Sequence, residues 1–200
     1  MTKPTLLYFD FPGGRGEASR LALHLSGVDW IDDRFSGDWP SKKGTTPFGA
    51  LPVLTIPGKG ELSQSNAILE FVGRGHGLLP SDPFEAARHV AVMNAVEELR
   101  AEAGKTGVKD EDEKKALRDA FVAGYLARWA ANCEAQVQGP FVGGDELSVA
   151  DLKLFVALSS YTRGVYDHIP ADVFDGYPKL TALLAAVAAH PGVAAWYARG

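Results

Sequence analysis

The chain changes character at Leu79-Pro80-Ser81-Asp82-Pro83, and this break constrains its fold more than any other feature. Two prolines and two helix-capping residues in five positions make a joint, because proline removes a backbone donor and cannot continue a helix. Before the joint, short apolar runs are cut by glycine and proline. After it, apolar residues recur at helical spacing over long stretches. The division is therefore residues 1–78 as a small α/β unit, 79–83 as linker and 84–200 as an all-helical unit. A chain of 200 residues, 46% hydrophobic, can bury a core of this kind without metal or disulfide staples.

Within the first unit, Thr5-Leu6-Leu7-Tyr8-Phe9 reads as a strand ended by Pro12-Gly13-Gly14. Ala18, Leu21, Ala22 and Leu25 share one face of the helix that follows, and Gly27 sits at its stop. Trp30 to Phe35 is a second strand, followed by a Pro/Gly/Lys-rich loop. Pro52 to Ile56 and Glu61-Leu62-Ser63 form a hairpin around Pro57-Gly58-Lys59-Gly60. Ala67, Ile68, Phe71 and Val72 mark a short helix ending near Gly73. The order βαβ then ββα implies a small α/β layer.

In the second unit, residues 84–104 make one helix and residues about 112–138 another. Val122, Leu126, Trp129, Cys133 and Val137 form one buried stripe on the latter. Its start, Glu111-Asp112-Glu113-Lys114-Lys115, puts acids ahead of bases, as the helix dipole prefers. Ser148-Val149-Ala150-Asp151 has the form of a capping box, with Leu147 and Leu152 in the staple positions. Leu180, Leu183, Leu184 and Val187 line a last helix that Pro191-Gly192 ends, and a short segment around Trp196 closes the chain.

Charge and cysteine content remove several function classes. The net charge of −5, from 20 basic and 25 acidic residues, speaks against a nucleic-acid partner or an anionic membrane. One cysteine excludes an internal disulfide, a cysteine-only zinc cage and a CxxC redox pair. Cys133, mid-stripe, reads as a buried core thiol. His24, His76, His89, His168 and His190 show no close ligand spacing, so no metal is expected. No apolar run approaches the roughly 20 residues of a membrane span. Met1-Thr2-Lys3-Pro4 lacks the apolar stretch of a signal peptide, and a cytoplasmic setting is expected.

Specific residues narrow the choice further. Tyr8 closes the first strand and Arg15-Gly16-Glu17 opens the first helix. Trp39-Pro40 and Lys43 lie in the middle loop, and Leu51-Pro52-Val53-Leu54 enters the third strand. Gln64-Ser65-Asn66-Ala67-Ile68 opens the third helix, and Ser148-Val149-Ala150-Asp151 a later one. In this order and spacing they resemble the cytosolic glutathione transferases over essentially the whole chain, most of all the tyrosine-type members of the sigma class. The resemblance implies a thioredoxin-like N-terminal domain with a four-stranded mixed sheet and an all-helical C-terminal domain. It also implies a homodimer, glutathione as co-substrate and a small electrophile as partner.

The same resemblance assigns roles. Tyr8 would donate its hydroxyl proton to the glutathione thiolate, the species that acts as nucleophile. A hydrogen bond to a charged group contributes about 1.5–3 kcal/mol, which lowers a thiol pKa by about one to two units. The plain alternative is a strand tyrosine with a satisfied hydroxyl. Gln64 and Ser65 would receive the γ-glutamyl end, Ser65 offering a hydroxyl, an N–H and the positive end of a helix dipole; a simple N-cap needs the same residue. Leu51 would pair its backbone with the cysteinyl amide beside a cis bond to Pro52, the alternative being a trans edge-strand proline. Trp39 and Lys43 would hold the glycyl end, with Lys42 as competitor.

Arg15 would lie between thiol and electrophile. Its charge opposes the dipole at a helix start, and a pair with Glu17 is the plain alternative. The Pro12-Gly13-Gly14 loop is one residue longer than the family's usual one. Glu98, or its neighbour Glu97, would reach the γ-glutamyl amine across the dimer, unless both simply face solvent. The metal ligands of some sigma members fall on Asn94, Glu97 and Glu98, and Asn94 breaks that trio. Phe11, Gly13, Arg100, Lys105 and Lys153 would line a cationic electrophile pocket suited to anionic substrates, and no long C-terminal lid is expected after Trp196. The expected activity is conjugation of glutathione to small electrophiles. A glutathione-dependent isomerase and a non-catalytic binder of the same fold are the alternatives.

Overall fold

The structure, a computed structural model, describes residues 3–199. Strands β1 (Thr5–Phe9), β2 (Ile31–Phe35), β3 (Val53–Ile56) and β4 (Gly60–Ser63) form one mixed sheet in the order β2-β1-β3-β4. β1 and β2 run parallel, joined by helix α1 (Gly14–Leu25), since a parallel pair needs a crossover. β3 runs antiparallel to both β1 and β4. Leu6 and Tyr8 are the two buried residues of β1 and share one face. Leu6 enters the main core, and Tyr8 lies at the strand's far end in a small cluster of its own.

The middle segment, expected as a Pro/Gly/Lys-rich loop, carries a short helix, α2 (Trp39–Lys43). Asp38 caps it by accepting from Ser41 N at 3.2 Å, and Pro40 sits in its first turn. A 3-10 turn follows at Pro47–Gly49, with Phe48 in the left-handed region at φ 57°. Helix α3 (Ser65–Gly75) ends the first unit.

Helix α4 (Pro83–Gly104) starts on Asp82, whose carboxylate accepts from Phe84 N and Glu85 N. The second long helix is α5 (Glu111–Phe121) and α6 (Ala127–Glu134), joined through a π-helical stretch, Val122–Leu126. It ends at Glu134 rather than near 138. Gln136 N and Val137 N bond back to Cys133 O and Glu134 O, in a turn that precedes Gly139-Pro140. Val137 is buried all the same, so the stripe extends past the helix that carries it. Helices α7 (Val149–Thr162), α8 (Pro178–Ala189) and α9 (Pro191–Tyr197) complete the chain. No single described helix is long and apolar enough to cross a membrane.

α7 is the axis of the helical part, packed against α1, α4 and α8. Its Ser148–Asp151 capping box forms as expected. Asp151 also accepts from Val142 N at 2.7 Å, which ties the preceding loop to the helix start. One hydrophobic core runs through both units, from Leu6 and Leu21 to Leu99, Leu154 and Leu183.

Candidate active site

The start of α1 sets the position of Tyr8. Early N–H groups of a helix lack partners in the helix itself. Arg15 N spends its proton on Tyr8 Oη at 3.0 Å. The phenolic oxygen therefore accepts from the protein, and its own proton remains available to a ligand. Two glycines make this approach possible. A Cβ on Gly16 would stand 2.1 Å from Tyr8 Cγ, and one on Gly14, at φ +66°, 2.3 Å from Tyr8 Oη. Arg20, on the same helix and fully buried, holds the loop between β1 and α1. It donates to Phe9 O and Phe11 O at 3.0 Å each and to Asp32 at 2.9 Å, with its guanidinium 5.4 Å from the Tyr8 ring centroid. Sequence reasoning missed Arg20, which there looks like one more charge on a helix.

Tyr8 packs with Leu51 and Val53, and Trp39 lies against the same cluster. The Leu51–Pro52 bond is cis. Lys43 is exposed, its stem running over Gly49, where an added Cβ would meet Cε at 3.3 Å. Residues from β1, α2 and the entry to β3 thus converge beside the tyrosine.

A chain of charged contacts leads from there to the start of α3. Arg15 Nε donates to Glu97 Oε2 at 2.6 Å. Lys153 Nζ donates to Glu97 Oε1 at 2.5 Å and to Ser65 Oγ at 2.8 Å. Ser65 and Lys153 are buried, and Gln64 precedes them at φ 71°, a positive value unusual for a residue with a side chain. Burial pushes the Glu97 carboxyl up, but Lys153 and Arg15 outweigh it and leave the group below the ordinary carboxylate range. Burial pushes the Lys153 ammonium down to about 8, with Glu97 opposing the shift. Arg15 does not pair with Glu17. That carboxylate is buried between Arg20, at 3.3 Å, and the indole N–H of Trp196, at 2.8 Å, so it has no reach to the helix start.

The family described as Glutathione S-transferase, C-terminal domain, matches residues 97–200. The chain belongs to the glutathione S-transferase family. It is 29% identical to glutathione S-transferase 1 of Ascaris suum, over 99% of this chain and 97% of that one. It is 30% identical to the hematopoietic prostaglandin D synthase of Gallus gallus, over 96% and 93% of the two. Among solved structures, prostaglandin synthase D of Nilaparvata lugens superimposes with a TM-score of 0.86 at 27% identity, covering 98% of each chain.

The residues expected to line an electrophile pocket of this transferase do not gather in one cleft. Lys153 is sealed between α3, α4 and α7, because its ammonium is drawn to Ser65 and Glu97. Lys105 is exposed at the end of α4 and pairs with Glu102 at 2.5 Å. Phe11 is exposed beside a shallow groove that Phe35 also lines. Arg100 is half-buried, with Nε and Nη2 enclosed and unpartnered among the described residues. Gly13 alone of the five lines a cavity of about 180 Å³, together with Pro12, Phe155, Ser159, Arg163 and Tyr197. The sequence reading did not single out Phe155, Ser159 and Arg163 of this cavity, although their spacing of four puts them on one helical face.

Glu98 is exposed and lines a separate groove of about 380 Å³ with Ala95, Tyr125, Arg128 and Trp129, between α4 and α6. The trio Asn94, Glu97 and Glu98 is engaged piecemeal: Asn94 accepts from Asn66 at 2.8 Å, and Glu97 is held by two cations. On the far surface Glu111, Asp167 and His168 bring oxygen and nitrogen atoms within 4.8 Å of one another. Lys114 already sits on both carboxylates, at 2.5 and 3.3 Å.

Proposed function

We propose that this chain is a tyrosine-type, sigma-like glutathione transferase that adds the glutathione thiolate to small electrophiles. The observation that carries the reading is the hydrogen bond that Tyr8 Oη accepts from the start of α1. Its oxygen accepts from Arg15 N at 3.0 Å, so its proton points the phenol toward an anion as donor, not base. Ser65 repeats the arrangement, accepting from Lys153 and keeping its own proton for a carboxylate. Trp39 and Lys43 take the glycyl carboxylate, and the Leu51 backbone pairs with the cysteinyl amide. The sulfur loses its proton to solvent, is held as thiolate by Tyr8, and forms a bond to the electrophilic carbon. The electron pair leaves with the departing group or settles on an acceptor that takes up a proton.

The electrophile enters the Gly13 cavity, where Arg163 gives the preference for anionic substrates that the other cations were expected to give. Residues 1–78 act as the glutathione-binding unit and 84–200 as the helical unit. The active form is a homodimer. Phe48 supports this, since it stands 81% exposed while an apolar groove of matching chemistry lies open between α4 and α6.

The test is the ultraviolet difference spectrum of bound glutathione against pH. The thiol titration is expected about one to two units lower than in free glutathione, and Tyr8→Phe is expected to give back at least one unit. If neither protein moves the titration, the chain is a binder and not this enzyme. The prostaglandin D synthase relatives support a second reading, a glutathione-dependent isomerase. Mass spectrometry separates the two: a conjugate keeps the tripeptide, an isomerised product does not.

A further inference from the structure

Among the described residues Lys153 is the only buried lysine. The fold alone gives no reason for it. Its neighbours on α7, Leu152 and Leu154, are fully buried and apolar, and a methionine would fill the same volume without desolvating a charge. What the lysine adds is a pair of directed bonds from the helical unit, one to Glu97 and one across to Ser65 at the head of α3.

Both bonds have consequences for a ligand. An ammonium has donors only, so Ser65 Oγ must accept, and the Ser65 proton has no acceptor among the described residues. The charge beneath Ser65 is also incompletely neutralised. Glu97 is a single carboxylate shared by Lys153 and Arg15, and Arg100 stands close enough to oppose the charge on Lys153. One acid against three cations leaves a positive surplus under a hydroxyl whose proton is unused.

We propose that Lys153 is a positioning residue for the γ-glutamyl α-carboxylate: it turns the Ser65 proton toward that carboxylate and supplies the charge behind it, so that the helical unit sets tripeptide selectivity at a site built on the other unit. This rests on the glutathione reading above. The direction of the ammonium's acidity agrees with it. Burial holds Lys153 at about 8, and an arriving carboxylate would favour the charged form and raise it.

The experiment compares two ligands by calorimetry at a pH below 7: glutathione, and γ-aminobutyryl-cysteinyl-glycine, which lacks only the α-carboxylate. Wild-type protein is expected to prefer glutathione by about tenfold or more. Lys153→Met is expected to lose most of that preference while binding the decarboxylated tripeptide about as wild type does. Ser65→Ala should lose it too, and the double variant should add little, because the two act as one unit. In turnover, Lys153→Met should raise the KM for glutathione and leave kcat within about twofold.

A variant that keeps the full preference overturns the inference, and so does one that weakens both ligands equally, which marks a merely structural lysine. Should wild type bind neither ligand, it is the glutathione reading that fails. If Lys153→Met does not fold, side-chain NMR of Lys153 in the wild type decides. Its titration must move upward with glutathione and not with the decarboxylated tripeptide; equal movement in both overturns the proposal.

Discussion

What distinguishes Tyr8 from an ordinary strand tyrosine is the direction of its hydroxyl, and that direction depends on a residue with no side chain. Gly16 lies in α1, where alanine is normally the better helix former by about 1 kcal/mol. Propensity alone would make Gly16→Ala stabilising. The added Cβ, however, falls 2.1 Å from Tyr8 Cγ, far inside contact distance, and the ring itself is buried. Overpacking of this kind costs about 1–3 kcal/mol, so the steric effect wins. Gly16→Ala is expected to lower stability in a urea titration. It should also reduce the thiol shift as far as Tyr8→Phe does, since the ring must leave the Arg15 N–H. A stable variant with an unchanged thiol titration would mean that the glycine is incidental. Tyr8, Arg15 and Ser65 stand out in the sequence because polar types at the ends of elements are few. Arg20 does not, and neither do the bonds that Glu97 and Lys153 make, because these depend on burial and on proximity across elements.

At the scale of elements, α7 shows what a local pattern does specify. Ser148-Val149-Ala150-Asp151 predicts reciprocal capping, and the structure has it. Asp151 accepts from Ser148 N at 2.8 Å, from Ser148 Oγ at 2.6 Å and from Val142 N at 2.7 Å. Asp151→Ala leaves buried donors without partners and removes the reciprocal half of the capping box, while Ser148 stays as N-cap. The expected loss is about 3 kcal/mol in chemical denaturation, more than a surface cap alone would cost. Because α7 also carries Lys153, Phe155 and Ser159, the same variant should weaken glutathione binding; a loss below 1 kcal/mol would show the box to be dispensable. Strong caps made the starts of α4 and α7 readable. α2 escaped because five residues give no periodicity, although Asp38 and Pro40 carry its signal. The end of α6 was misplaced because Val137 is buried by the turn, not by the helix, and burial is what a hydrophobic stripe reports. The five residues expected to line an electrophile pocket lie apart for a related reason: a sequence tells which helix a cation rides on, while the direction it leans is decided by the acid it finds.

For the whole molecule, the question is what covers the groove between α4 and α6. Ala95, Trp129 and Cys133 line it, and burial pushes the Cys133 thiol up to about 12, which disfavours the reactive thiolate. Phe48, on the 3-10 turn before β3, is the most exposed large apolar side chain described, and its left-handed backbone holds it outward. In the twofold dimer proposed above, with the ring of each subunit seated in the groove of the other, one substitution removes two contacts. Burying a phenylalanine side chain contributes about 1.5–3 kcal/mol, so Phe48→Ser should raise the dimer dissociation constant about a hundredfold or more. Sedimentation across a concentration series measures this directly. Thiol labelling gives an independent reading of where the ring goes. Cys133 should react slowly in the wild-type dimer and faster in Phe48→Ser, because the groove is then uncovered, while its raised pKa keeps it slower than a free thiol in both. A weakened dimer with unchanged labelling would move the Phe48 contact to another surface. An unchanged dimer would remove Phe48 from the interface altogether and leave the groove as a separate binding surface beside Glu98.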